Sequence, residues 1–399
     1  MLKRELYLKK IRPYYDSELI KVITGVRRCG KSILLTQIRE ELLTQGIEEG
    51  RIISINFEDY KYRKLKNPDL FYEHIENRLQ STGKMYLFFD EIQNVDNFEL
   101  VINSFRATHD VSIFITGSNS HLLSGELATH LGGRTISFRM LPFSFSEYYA
   151  YKNGGSKGER LSEYIQFGGF PIVCQADDPS MKEEILSNLY DSIVLKDIVS
   201  RNKIGSVYVM EKLLEYLTAN SSLTLSGSSL AKALSDENLK VTQPTIYDYI
   251  AYIVSSCLMD KVERYDIRCK KALAFEAKAY ICDLGFFQLK KNRVKNEFGL
   301  LVETLVYNEL IARGYRVYIG KTYKGEVDFL AQKGEKRIYL QAAYHLSDEK
   351  TVEREFGAYE GIADNYPKYV VSYDDWPMGD RDGIIHIPLV NFLLDEELI

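Results

Sequence analysis

The eight residues Gly25-Val26-Arg27-Arg28-Cys29-Gly30-Lys31-Ser32 satisfy the pattern G-x-x-x-x-G-K-[ST] at every specified position, and this confines the first third of the chain to a small set of folds. Glycines in such a segment let the backbone curl until successive N–H groups face one anion, and a helix that follows adds the partial positive charge of its N-terminus. The flanks supply that context. Leu19 to Thr24 reads as a buried strand, and Ile33 to Ile38 continues as a helix with apolar residues at helical spacing. The segment therefore predicts a phosphate-binding loop spanning Gly25, Val26, Arg27, Arg28, Cys29, Gly30, Lys31, Ser32 and Ile33, with ATP as the ligand to test. Lys31 is expected to meet the β- and γ-phosphates, and Ser32 to offer its hydroxyl to Mg²⁺, which keeps several waters and needs few protein ligands. Arg27 and Arg28 face either phosphate oxygens or solvent. Cys29 is either an oxidisable thiol or a small neutral filler.

A second motif follows at a normal separation. Met85 to Phe89 is an apolar run closed by Asp90 and Glu91, the pattern of a buried parallel strand that delivers acids to a nucleotide site. Asp90 is the expected Mg²⁺ acid and Glu91 the base that orients and polarises an attacking water. Phe98, Val101, Ile102 and Phe105 then line one helical face, and Val111 to Thr116 reads as a further strand ending in Gly117-Ser118-Asn119-Ser120. Ser118 or Asn119 reads either as a sensor of the γ-phosphate or as ordinary turn chemistry. Arg134 and Arg139 are candidates for stabilising charge on a transferred phosphoryl group, with a surface ion pair as the alternative for each.

Together with Thr116-Gly117-Ser118, Gly133-Arg134, Leu141-Pro142-Phe143-Ser144-Phe145-Ser146-Glu147-Tyr148, Gly168-Gly169-Phe170-Pro171 and Glu326-Val327-Asp328-Phe329, these motifs resemble the prokaryotic AAA+-like P-loop ATPases that carry a C-terminal domain of unknown function. The resemblance covers nearly the whole chain. It implies ATP binding and hydrolysis, and it leaves open whether copies assemble into rings with an arginine acting in trans or work as monomers.

Composition sets the frame for the rest. A chain of 399 residues with 45% hydrophobic content has room for two to three cores. With 51 basic against 56 acidic residues it is not a globally basic nucleic-acid binder, although local patches can be. Its 5 cysteines are widely spaced without a C-x-x-C pair, which argues against a zinc site or disulfide scaffold and fits a reducing cytoplasm. No 18-residue apolar run or leader pattern is present, so no membrane partner is expected.

Beyond the polar break at Lys152 to Gly158, the stretch from Ser162 to Leu289 is mostly helical in pattern. Leu230 to Leu234 and a helix opened by Thr242-Gln243-Pro244, followed by extended segments at Met259 to Tyr265 and Lys271 to Phe275, look like a winged helix-turn-helix. Its second helix would expose Gln243, Thr245, Tyr247 and Asp248. Phosphate-neutralising charge would have to come from Arg264, Arg268, Lys270 and Lys271 or from the cluster Lys290 to Lys295. DNA contact and a solvated basic surface both stay open. The last hundred residues read as a helix from Phe298 to Arg313, three strands, a helix near Asp348 to Tyr359 and a strand at Lys368 to Ser372. With Glu303, Glu326, Asp328 and Gln341 this order resembles the PD-(D/E)xK nuclease-like fold. Gln341 stands where an acid is expected and Ala343 where the lysine is expected, so the resemblance implies a degenerate site.

The sequence thus predicts an α/β chain in three parts: an AAA+-like parallel-sheet domain over 1–152, a helical winged-helix-like domain over 160–290, and a small nuclease-like α/β domain over 296–399. Its expected function is a Mg²⁺-dependent ATPase whose nucleotide state controls domains that bind DNA or protein. An ATP-dependent nuclease and a nucleotide-gated sensor with little turnover are the alternatives.

Overall fold

The computed structural model describes all residues except 1, 81, 119–130, 132, 237, 238, 240, 290–296 and 324. Asn119 and the Lys290 to Lys295 cluster lie outside the described residues. The chain divides into two compact units, Met1–Met140 with Ser255–Cys257, and Leu141–Val254 with Leu258–Ile399.

In the first unit a helix α1 (Glu5–Ile11) precedes strand β1 (Ile20–Thr24), and then come α2 (Lys31–Thr44), β2 (Ile52–Asn56), α3 (Pro68–Glu76), β3 (Met85–Asp90), α4 (Phe98–Thr108), β4 (Val111–Gly117) and β5 (Thr135–Arg139). The strands form one sheet in the order β2-β3-β4-β1-β5, and every pairing is parallel. β1, β3 and β4 are buried at every position, which explains their unbroken apolar runs. One face of the sheet packs Ile53, Ile55, Leu87, Phe89, Ile113 and Ile115 against Phe71, Ile75, Val101, Ile102 and Phe105 of α3 and α4. Because all five strands run the same way, their carboxyl ends meet along one edge, where β1 hands over to the loop before α2 and β3 ends in Asp90.

The second unit opens with helices α5 (Phe145–Lys152), α6 (Lys157–Phe167), α7 (Pro171–Cys174), α8 (Pro179–Ser192), α9 (Val207–Ala219), α10 (Gly227–Asp236) and α11 (Gln243–Ser255). A ribbon of β6 (Met259–Asp266) and β7 (Lys271–Ile281) leads through α12 (Leu284–Leu289) to α13 (Glu297–Ala312), β8 (Arg316–Lys321), β9 (Glu326–Lys333) and β10 (Lys336–Ala343). The chain ends with α14 (Glu349–Gly357), β11 (Lys368–Ser372), β12 (Asp380–Arg381), β13 (Ile384–Pro388) and α15 (Leu389–Leu394). The ribbon does not stand alone. β6 pairs in parallel with β8, so the sheet is eight-stranded in the order β12-β13-β11-β10-β9-β8-β6-β7.

Two sequence motifs of this unit owe their composition to packing. Phe143 N–H donates to the Gly169 carbonyl at 2.8 Å, the Tyr164 hydroxyl donates to the Phe143 carbonyl at 2.7 Å, and Ser144 and Glu147 close a capping box on α5. Asp283, pushed up to about 7 by its burial, accepts N–H bonds from Gly169 at 2.7 Å and Gly285 at 2.8 Å. At Gly168, with φ +74°, a Cβ would lie 1.7 Å from the Asp283 carboxylate, so only glycine fits. No helix among the described residues is long and apolar enough to cross a membrane.

A buried cation sits at the foot of the first sheet. Lys21 of β1 is fully buried, donates to Ser112 Oγ at 2.7 Å and Ser17 O at 3.0 Å, and is pulled down to about 7 by burial. The folded chain therefore holds fewer protons than the unfolded chain between about pH 7 and the ordinary lysine value, and stability must rise with pH across that window. Urea denaturation of wild type and Lys21→Met from pH 7 to 10 should show wild type gaining stability relative to the variant as pH rises. A constant difference would mean that Lys21 titrates normally.

Candidate nucleotide site

The site is built from the loop upward. Gly25 approaches β5 so closely that a Cβ would lie 2.2 Å from the Met140 carbonyl, and Arg28 takes φ +64° to complete the curl. Val26 and Cys29 are buried, Arg27 is half-buried, and Arg28 and Ser32 are exposed with Ile33 beside them. Behind the loop, Arg4 is buried and donates from its guanidinium to the Cys29 carbonyl at 3.0 Å. Its backbone N–H donates to Gln37 Oε1 at 3.0 Å. Arg4 and Gln37 were not legible as loop supports, since a charged N-terminal residue gives no signal of burial.

Lys31 begins α2 and points back into the loop. Its ammonium donates to the Gly25 carbonyl at 3.1 Å and the Val26 carbonyl at 3.3 Å, and lies 3.6 Å from Glu91 Oε1. Burial opposes its charge, but Cys29 and the Glu91 carboxylate overcome that and raise its pKa above the ordinary lysine value.

The two acids are held by a hydroxyl from the neighbouring strand. Thr116 of β4 donates to Asp90 Oδ1 at 2.5 Å and accepts from the Glu91 N–H at 3.0 Å. Asn56 of β2 donates to Asp90 Oδ2 at 3.0 Å. Burial raises the Asp90 pKa, with hydrogen bonds from Ser32 and Thr116 working against it, so Ser32 and Asp90 meet. Glu91 leaves the strand with φ +54°, an uncommon conformation for a non-glycine residue, and Gln93 donates to its Oε2 at 2.5 Å. Beside Ser32 and Asp90 opens a groove of about 520 Å³, lined also by Thr36, Arg39, Asn56, Lys61 and Tyr62.

Lys31, Ser32, Asp90 and Glu91 are thus brought together, and Thr116, Asn56 and Gln93 join them. Ser118 is buried just after Gly117, the β4 residue opposite Thr24. Arg134 is not brought to the loop. Its carbonyl pairs with the Ile20 N–H just before the other end of β5, five residues and ~17 Å of strand rise from the level of Thr24, whereas Arg139 lies opposite Thr24. The parallel register carries Arg134 to the amino edge of the sheet.

In the second unit, Glu303 (α13), Glu326 and Asp328 (β9) and Gln341 (β10) form a separate cluster, with a partner the sequence did not point to. Lys278 of β7 lies 2.9 Å from Glu303 Oε1 and 2.6 Å from Glu326 Oε1, and the Tyr280 hydroxyl donates to Glu303 Oε1 at 2.7 Å. Asp328 N–H donates to Gln341 Oε1 at 3.1 Å, and Asp328 Oδ2 accepts from Ala342 N–H at 2.9 Å. Burial, then the Glu303 charge, push the Asp328 pKa well above the ordinary carboxylate range. Burial alone would neutralise Lys278, but Glu303, Asp328 and Glu326 keep it protonated. Arg264 pairs with Glu326 at 2.9 Å, so its charge is not available to a phosphate, while Gln243, Tyr247 and Asp248 are exposed on α11.

Comparison with known proteins places this geometry among relatives. Residues 17–149 match the model of an AAA domain, and residues 158–296 match a domain of unknown function. A protein of Haemophilus influenzae described as uncharacterised is 36% identical over 399 residues, covering 99% of each chain. One of Methanocaldococcus jannaschii, described likewise, is 34% identical over 379 residues, covering 89% of this chain and 82% of its own. The structure of a Walker-type ATPase of Pyrococcus abyssi superposes with a TM-score of 0.53 at 14% identity, over 73% of this chain and 96% of its own.

Removing one partner of a buried ionic cluster leaves the others uncompensated. Lys278→Met should cost ~3–5 kcal/mol of stability in denaturant titration, and adding Glu303→Gln should recover part of that loss. Additive losses in the double variant would mean that the two side chains are energetically independent.

Proposed function

The chain belongs to one family with its Haemophilus influenzae relative, which it matches end to end, and its residues 17–149 match an AAA domain; from that premise we propose that it is a Mg²⁺-dependent ATPase whose nucleotide state governs C-terminal domains that bind DNA or protein. The observation that carries this reading is the convergence of Lys31, Asp90, Glu91 and Thr116 at the carboxyl ends of adjacent parallel strands, where open α/β sheets take their ligands.

The residues fit the nucleotide by their chemistry. The Lys31 ammonium, turned into the loop against two carbonyls, is positioned to exchange them for phosphate oxygens. Ser32 and Asp90 are the residues that would hold Mg²⁺, which neutralises phosphate charge when bound. Glu91 orients the attacking water and draws on its proton as the water oxygen bonds to the terminal phosphorus and the bond to the leaving ADP oxygen breaks. Thr116 fixes both acids, and Gln93 and Lys31 fix the Glu91 carboxylate. The acidic cluster of the second unit is read as non-catalytic, because the Lys278 ammonium already occupies its centre and Gln341 and Ala343 offer neither the acid nor the lysine of a nuclease.

Lys31→Ala should abolish binding of a fluorescent ATP analogue, while Glu91→Gln should bind it and lose turnover by ~10²–10⁴-fold. Normal hydrolysis by Glu91→Gln would remove Glu91 from the role of base. Incubated with DNA and Mg²⁺, wild type should leave the DNA intact, and cleavage that Asp328→Asn abolishes would restore the nuclease.

A further inference from the structure

Between β2 and α3 the chain forms a 3₁₀ helix, Tyr60–Lys66, with the sequence Tyr-Lys-Tyr-Arg-Lys-Leu-Lys. Runs of this helix type longer than three or four residues are uncommon, and side chains at i and i+3 eclipse along it. That period of three sorts the residues onto three edges. Tyr62 and Leu65 form the inner edge and pack on the sheet core. Tyr60, Arg63 and Lys66 form a second edge, and Lys61 and Lys64 a third. Tyr60, Lys61, Arg63, Lys64 and Lys66 are all exposed, Tyr60 at 75%. The Arg63 guanidinium lies over the Tyr60 ring at 4.2 Å, as the eclipsed spacing requires. Lys61 pairs with Asp59 at 3.1 Å, but Arg63, Lys64 and Lys66 have no carboxylate partner among the described residues. Four cations in seven residues, on a chain with net charge −5, make a local patch that the overall balance conceals.

The segment is also bolted to the nucleotide site through the three residues before it. Asn56, which holds Asp90, accepts the Glu58 N–H at 2.8 Å, and Phe57 N–H donates to the Asp90 carbonyl at 3.0 Å. The Glu58 carboxylate pairs with Arg27 of the loop at 3.2 Å, and Asp59 caps the 3₁₀ helix by accepting the Lys61 N–H. The segment leading into the basic helix therefore contacts both Asp90 and Arg27.

We propose that the 3₁₀ helix Tyr60–Lys66 binds the phosphate backbone of single-stranded nucleic acid and relays its occupancy to the nucleotide site through Glu58 and Asn56. Successive residues on one edge are ~6 Å apart, comparable to successive phosphates on an extended strand, so each basic edge tracks a backbone. The exposed face of Tyr60 offers a stacking surface to a base, which only an unpaired strand presents. An acidic protein would use the cations but not the ring.

Binding of a fluorescein-labelled oligothymidylate to the nucleotide-free full chain is measured by anisotropy between about 50 and 200 mM salt. The triple variant Arg63→Gln/Lys64→Gln/Lys66→Gln, whose altered side chains are exposed, should unfold at the wild-type temperature. It should bind at least ten-fold more weakly at the lowest salt, and its log–log salt slope should be smaller by about 2, which is three lost phosphate contacts at ~0.7 each. Wild-type affinity and slope in the triple variant would overturn the surface. Equal affinity for a duplex, or equal competition by polyglutamate, would overturn the single-strand assignment.

The relay rests on the ATPase reading and has its own readout. Oligothymidylate should change wild-type ATP turnover, whereas Glu58→Gln should bind the strand like wild type and lose that response. A normal response in Glu58→Gln would overturn the relay. Absence of turnover in wild type would strike the ATPase reading alone, with the binding arm still deciding the surface.

Discussion

One hydroxyl organises the candidate site. Thr116 gives its proton to Asp90 and receives the N–H of Glu91, so β4 clamps the end of β3 at the point where two adjacent carboxylates leave the sheet. Two neighbouring acids, both nearly buried, would repel each other and seek solvent if left to themselves. The Thr116 bond holds Asp90 toward α2 and Ser32. The left-handed turn at Glu91 sends the second carboxylate to Lys31 and Gln93. The parallel sheet makes this possible, since the strand order and register set Thr116, Asp90 and Asn56 side by side along one edge.

Much of this was legible in the sequence wherever the chemistry is local. Gly25 to Ser32 announces its own turn, helix start and anion-facing amides, and Met85 to Glu91 announces a buried strand ending in acids. The helical face of Phe98, Val101, Ile102 and Phe105 and the order of helix and three strands after Phe298 follow from periodicity and agree with the structure. What escaped depends on pairings distant along the chain. Thr116 reads as the last residue of an apolar strand, and the polar turn of Ser118 and Asn119 beyond it is the more evident sensor candidate. Asn56 belongs to an edge strand with a weaker pattern. Arg134 follows the sensor strand in the order of motifs, but the parallel register of β5 on β1 places it at the opposite edge of the sheet from the loop.

The second unit teaches the same lesson about sheets. The extended segments at Met259 to Tyr265 and Lys271 to Phe275 are readable as a ribbon, but no local signal carries the pairing of β6 with β8, which lies beyond two intervening helices. That pairing is what delivers Lys278 and Tyr280 to Glu303 and Glu326 and turns an acidic cluster into a neutralised one. Likewise, Gly168 acquires its reason only from Asp283, more than a hundred positions away, and Gly169 from the Phe143 carbonyl, 2.2 Å from where a Cβ would lie. The two sets of motifs therefore differ in kind: those of the first unit converge on one candidate site, while those of the second hold its own packing together.

The central claim is that Thr116 poises Asp90 and Glu91 for ATP hydrolysis without itself holding the nucleotide. Steady-state ATP turnover and calorimetric ATP affinity of Thr116→Val beside Thr116→Ser test it directly. The account predicts near-wild-type affinity in both, turnover kept by the serine, whose hydroxyl can bridge the two acids, and turnover lost at least ten-fold by the isosteric valine, which cannot. Wild-type turnover in Thr116→Val would contradict it.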